Sequence, residues 1–175
     1  MKWRFLEPKD FEWMLDVSKE HHKESDWSEV EYSEDKVKGY ITTALKDPNY
    51  FAIIVEEDDK RIGFMCGRIL EYPFSKETFA RELDLYVEPK HRNGMAGIFM
   101  MKKFIEWATV KKAREVLFEP RLSDGTIKKF DAMAKRLGME HFANAYRRRL
   151  VGVLVAATIL AILHFKHSFK EMLLR

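Results

Sequence analysis

Between Val87 and Ile98 the chain reads VEPKHRNGMAGI, gathering Lys90, Arg92, Gly94 and Gly97 between a strand-like pattern and a helix-like one. A helix N-terminus presents N–H groups without internal partners and a partial positive charge, so it attracts anions, phosphate among them. Glycine at such a turn lets a phosphate approach the backbone. Arg92 and Lys90 add positive charge, and an arginine fork suits phosphate oxygens. The spacing matches neither G-x-x-x-x-G-K-[ST] nor a clean G-x-G-x-x-G. The glycines alone therefore leave two readings open: a phosphate-holding loop, and an ordinary helix start with basic residues on the surface.

Other residues able to do chemistry lie nearby in sequence. Glu82 and Asp84 alternate with apolar residues in FARELDLYVEP, which places Leu83, Leu85 and Val87 on one strand face and Glu82, Asp84 and Tyr86 on the other. His21 and His22 are neighbours in a helical stretch. Adjacent helical residues point about 100° apart and cannot easily share one ion, so no metal site is expected and the pair reads as surface residues near a cleft. Cys66 stands alone, which excludes an internal disulfide and fits a reducing compartment.

The elements that must position these residues can be read from periodicity. KWRFLEP is a first strand ended by Pro8; Phe11, Met14, Leu15 and Val17 mark a helix that Asp10 could cap. Val37, Tyr40, Ile41, Ala44 and Leu45 form the stripe of a second helix with Ser33 at its start. Residues 49–72 read as a hairpin turning at Asp58-Asp59, followed by the alternating strand that carries Glu82 and Asp84. Ile98, Met101, Phe104, Ile105 and Ala108 recur at helical spacing; REVLFEP is a strand, TIKKFDAMAKRLG a helix closed by Gly138, and MEHFANAYRRRL a last strand. The order β-α-α-β-β-β-α-β-α-β predicts an α/β fold, a mixed sheet flanked by helices over residues 1–150.

That order, together with LDLYVEPKHRNGMAGIFMMKKFIEWA, resembles the GNAT family of acetyl-CoA-dependent N-acetyltransferases across nearly all of residues 1–150. In that family a central strand ends in V-x-P and a pyrophosphate loop [QR]-x-x-G-x-[GA] opens the next helix. Val87-Glu88-Pro89 matches; Arg92 takes the first loop place and Gly97 the last, while Met95 stands where the middle glycine falls, with Gly94 one step earlier. The resemblance implies coenzyme A contacts along Arg92, Asn93, Gly94, Met95, Ala96, Gly97 and Ile98. It also implies that the backbones of Leu85 and Val87 pair with the pantetheine arm, as an added strand would, beside a bulge near Tyr86 to Glu88. MAKRLGMEHFANAYRRRL is similar to the family's closing pattern.

Moving an acetyl group from a thioester to an amine requires the amine neutral at attack and the departing thiolate stabilised. The family often carries a glutamate where Glu82 lies, so Glu82 is the first candidate base and Asp84 the second; both also read as solvated strand residues. The family's frequent acid is a tyrosine four residues before the glycine of YxxxG, and Ala134 occupies that place here. Tyr146 or Tyr86 could substitute. The EVEYSED segment could line a cleft for a cationic amine, or be a solvated face. The acceptor implied is a small-molecule or protein amine.

The last residues, 151–175, differ in character. From Val151 to Phe165 only Thr158 and His164 are polar. As a helix this run would span about 22 Å, short of the roughly 30 Å hydrocarbon core. It is apolar on every side and flanked by Arg147, Arg148, Arg149 and by Lys166 and Lys170. The sequence thus predicts an apolar C-terminal helix, read as a membrane anchor, as a homo-oligomer or assembly contact through residues 151–165, or as packing on its own domain. The net charge is +3, of which Lys166, Lys170 and Arg175 against Glu171 supply +2, so the body is nearly neutral and no nucleic-acid partner is expected. No apolar leader opens the chain, which points to the cytoplasm, with membrane association or a virion as further locations. The compact body and YRRRL ending look similar to short acetyltransferase-like proteins of bacteriophages. That likeness implies an alternative: a catalytically weak structural protein on the same fold, assembling through its tail.

Overall fold

The computed structural model describes residues 1–119 and 124–143. The chain divides into two compact units, Met1–Glu140 and His141–Arg175, and every element below belongs to the first. The order is β1 (Lys2–Phe5), α1 (Phe11–Glu24), α2 (Glu34–Ala44), β2 (Tyr50–Glu57), β3 (Lys60–Glu71), β4 (Thr78–Val87), α3 (Ala96–Val110), β5 (Val116–Leu117) and α4 (Asp124–Arg136). The expected closing strand lies mostly outside the described residues, as do the apolar tail and Tyr146. Among the described residues no helix is long and apolar enough to cross a membrane.

The five strands lie in sequence order, β1 through β4 antiparallel and β5 parallel to β4. The hairpin between β2 and β3 turns at Asp58 and Asp59, both left-handed at φ 50° and 58°, the geometry of a tight two-residue connection. One sheet face buries Phe51, Ile53, Val55 and Met65 against Met100, Phe104 and Ala108 of α3. The other buries Ile54, Phe64 and Tyr86 against Met14 and Leu15 of α1 and Ile41 of α2. Gly67 permits the first packing, since a Cβ there would lie 2.4 Å from the Phe104 ring. α4 closes as its sequence predicts: Gly138 is left-handed at φ 74°, and Gly138 and Met139 N–H donate to the Lys135 and Ala134 carbonyls.

Two local expectations differ. Asp10 sits at the start of α1 but makes no capping bond to it. Its fully buried carboxylate instead accepts Arg4 at 2.6 and 2.9 Å, Arg61 Nε at 2.9 Å and the Glu7 N–H at 2.9 Å. Burial alone would raise its pKa; the Arg4 and Glu7 hydrogen bonds and the two guanidinium charges hold it below the usual carboxylate value. The β4 irregularity also falls earlier than Tyr86 to Glu88. Cys66 pairs with Asp84 and Gly67 with Glu82, leaving Leu83 as the extra residue.

Candidate active site

β4 is a long strand with a short partner. Among the described residues it pairs with β5 only at Ala80 and Arg81, and its edge from Glu82 to Val87 carries no strand beyond the pairing with β3. The Glu88 N–H donates to Ile62 of β3, and strand alternation then directs the peptide groups of Val87 and Leu85 to the opposite, open edge. Their side chains pack toward α3, which holds the strand in place. The open edge leads directly into the turn before α3.

In that turn the left-handed residue is Asn93, at φ 76°, and neither Gly94 nor Gly97 has positive φ. Asparagine tolerates this conformation, and its Oδ1 accepts Lys129 Nζ of α4 at 2.6 Å. Met95 is the residue before the helix and is 62% exposed; the first intrahelical bond runs from the Phe99 N–H to the Met95 carbonyl. The amides of Ala96, Gly97 and Ile98 thus stand in the turn that a helix cannot satisfy internally. Arg92 turns back toward the sheet: Nε donates to the Val87 carbonyl at 2.8 Å, Nη2 to Glu24 at 2.6 Å, and the guanidinium lies 5.6 Å over the Tyr86 ring. Lys90 pairs with Glu88 at 3.1 Å and His91 with Glu57 at 3.2 Å.

On the opposite sheet face Asp84 meets α1. His21 Nε2 lies 3.0 Å from Asp84 Oδ1, and the imidazole sets its edge on Tyr86 at 5.3 Å. Burial alone would lower the His21 pKa; the Asp84 hydrogen bond and charge, helped by Glu24, outweigh it and Arg92, so the value is raised above 6.5. His21 Nδ1 is buried without a hydrogen-bond partner among the described residues. His22 turns the other way, 2.7 Å from the Val30 carbonyl. Among the described residues no group of side chains could hold a metal ion. Glu82 Oε2 accepts the Glu119 N–H at 3.4 Å. Burial raises the Cys66 thiol far above its ordinary value, aided by Asp84 and Glu82, so it stays protonated and unreactive. Burial likewise raises the Tyr86 hydroxyl, against the opposing charge of Arg92.

The structure therefore gathers Asp84, Leu85, Val87, Arg92 and the amides of 96–98 at one strand end. His21 is the residue the sequence reading passed over. Its signal was present: Met14, Val17 and His21 follow helical spacing along the face of α1 that meets the sheet.

Residues 9–124 match the model of the acetyltransferase (GNAT) family, and the chain belongs to that family. Solved structures share the fold. A predicted acetyltransferase from Clostridium acetobutylicum, solved with acetyl-CoA, is 14% identical with a TM-score of 0.68, covering 86% of this chain and 97% of its own. An apo aminoglycoside antibiotic 6'-N-acetyltransferase from Acinetobacter haemolyticus is 18% identical with a TM-score of 0.65, covering 85% and 97%. AAC(6')-Iy, solved with the bisubstrate analogue CoA-S-monomethyl-acetylneamine, is 18% identical with a TM-score of 0.66 over the same shares. No curated protein matches the chain. The bacteriophage likeness and the alternative structural role find no support among these relatives.

Proposed function

We propose that this protein is an acetyl-CoA-dependent N-acetyltransferase acting on a primary amine. The observation that carries the proposal is the open β4 edge, Glu82 to Val87, running into the free amides of α3. The residues fit the co-substrate. Leu85 and Val87 offer peptide groups to a pantetheine arm, which adds to the edge as a strand would. Ala96, Gly97 and Ile98 offer amides to the pyrophosphate. The exposed Met95 side chain leaves the loop backbone as the contact surface. Arg92 stands beside the turn, its Nε and Nη2 held by Val87 and Glu24.

When bound, acetyl-CoA supplies the thioester that the amine attacks directly, the C–N bond forming as the C–S bond breaks. Asp84 and Glu82, at the open edge, are the carboxylates that take the amine proton, directly or through water. The thiolate takes its proton from solvent or from Tyr146, which lies outside the described residues. Aminoglycoside-acetylating relatives favour a small-molecule amine as acceptor. The transferase domain is residues 1–150, with 151–175 serving localisation or assembly; flotation of the full chain with vesicles tests the anchor reading.

Thermal melting of the full-length protein tests the core of this proposal. Acetyl-CoA raises the melting temperature by binding only the native state, and Arg92→Glu reduces that rise. No rise at millimolar acetyl-CoA would overturn it.

A further inference from the structure

Asp84 is not an isolated strand carboxylate. One oxygen, Oδ1, is engaged by His21 Nε2 at 3.0 Å, while Oδ2 has no such contact among the described residues. The side chain is 35% exposed against 23% for His21, so the free oxygen belongs to the more open member of the pair. Leu83, the bulged residue, lies directly before Asp84, where the strand edge becomes free of β5. We infer that His21 is a positioning residue for acetyl transfer: it holds Asp84 through the Nε2···Oδ1 contact, leaves Oδ2 to the acceptor amine, and decides by its charge whether the carboxylate is free to act. This inference rests on the transferase reading above.

The chemistry follows from the groups around the ring. Neutral His21 donates its Nε2–H to Asp84 and keeps a lone pair on the unpartnered Nδ1, so the pair carries one negative charge. The attacking amine's proton then has a charged oxygen to move to, with the C–N bond forming and the CoA thiolate leaving. Protonated His21 forms an ion pair with Asp84, which neutralises the pair and withdraws that oxygen's basicity. It also leaves a buried Nδ1–H without an acceptor, which costs free energy and opposes charging. Asp84 from β4 and Glu24 from α1 favour the charged ring, Arg92 from the loop before α3 opposes it, Tyr86 of β4 meets its edge, and Cys66 of β3 lies across from Asp84. On balance the charged ring is favoured more than in an ordinary histidine, Asp84 outweighing burial and Arg92.

The decisive measurement is the pH profile of kcat/KM from thiol release, with acetyl-CoA and a polyamine, an aminoglycoside and a lysine peptide as acceptors. Wild type gains activity as His21 deprotonates. His21→Gln can still donate to Asp84 but cannot titrate, so it loses that limb while staying within about threefold of wild type at high pH. His21→Ala loses the limb and about tenfold at high pH, the scale of a misplaced proton acceptor. Asp84→Asn lowers the His21 ring pKa in an NMR titration, which requires no acceptor. Melting shifts with acetyl-CoA stay unchanged in both His21 variants. A wild-type limb retained in His21→Gln, or a ring pKa unmoved in Asp84→Asn, overturns this inference and leaves the transferase reading standing. No thiol release from wild type with any acceptor overturns both.

Discussion

Two aspartates show how the same side chain serves different ends in this fold. Asp10 is fully buried, with both oxygens engaged by two arginines and a backbone N–H that tie β1, β3 and the entry to α1 together. Asp84 is a third exposed, held at one oxygen by a histidine whose own second nitrogen is unpartnered. A carboxylate with every lone pair committed in a dry setting is a structural joint. One left partly committed at an open strand edge keeps the capacity to exchange a proton. The difference lies in the number of donors each receives, not in residue type.

This contrast can be broken by exchanging stability and activity readouts. Asp84→Asn should lower kcat/KM by about 10²-fold or more, the scale of a lost general base. It should move the melting temperature by no more than about 4 °C, since a partly exposed ion pair contributes about 1 kcal/mol or less. Asp10→Ala should do the reverse. It should cost about 3 kcal/mol in denaturant unfolding, the low end for breaking a buried pair because Arg4 keeps Glu56 at 2.8 Å. Turnover per folded molecule should be unchanged. Were both substitutions to lower activity with equal loss of stability, the division between joint and reactive group would fail.

Acidity sharpens the same contrast. The folded-state pKa of Asp10 lies below the ordinary 3.8, so its contribution to stability is present above that value and is lost as pH falls through the depressed one. The pKa of His21 is raised above 6.5, so the contribution of its pairing with Asp84 is full below 6.5 and is lost as pH rises through the raised value. Unfolding curves across pH should therefore show an acid loss that disappears in Asp10→Asn and a smaller loss, above pH 6.5, that disappears in Asp84→Asn. The scaffold both aspartates rely on can be tested at Gly67. Gly67→Ala forces a Cβ toward the Phe104 ring and should cost about 1–3 kcal/mol of stability by overpacking, with acetyl-CoA binding retained.

Much of this arrangement was legible in the chain. The period of the apolar residues gave the helices of α1, α2, α3 and α4 and the β2–β3 hairpin, because each buries one face against the sheet. The turn from V-x-P into α3 was marked by composition, although Asn93 rather than a glycine makes its left-handed step. Asp10 read as a helix cap because local spacing cannot foresee Arg61, which arrives from β3. His21 read as a surface residue because its partner lies on a strand far along the chain. Leu83 read as regular alternation, since a bulge is defined only against the neighbouring strand.

The sequence by itself determined which elements form and where an anion could meet backbone, since periodicity, turn chemistry and helix ends are local properties. Only the tertiary structure decided that β5 meets β4 at two pairings, so that among the described residues β4 keeps an open edge beyond Arg81. It also decided that Arg92 turns back to Val87 and Glu24, and that His21 Nε2 meets Asp84 Oδ1. These depend on contacts between residues distant in the chain, where burial and facing charges, not spacing, set what a side chain can do.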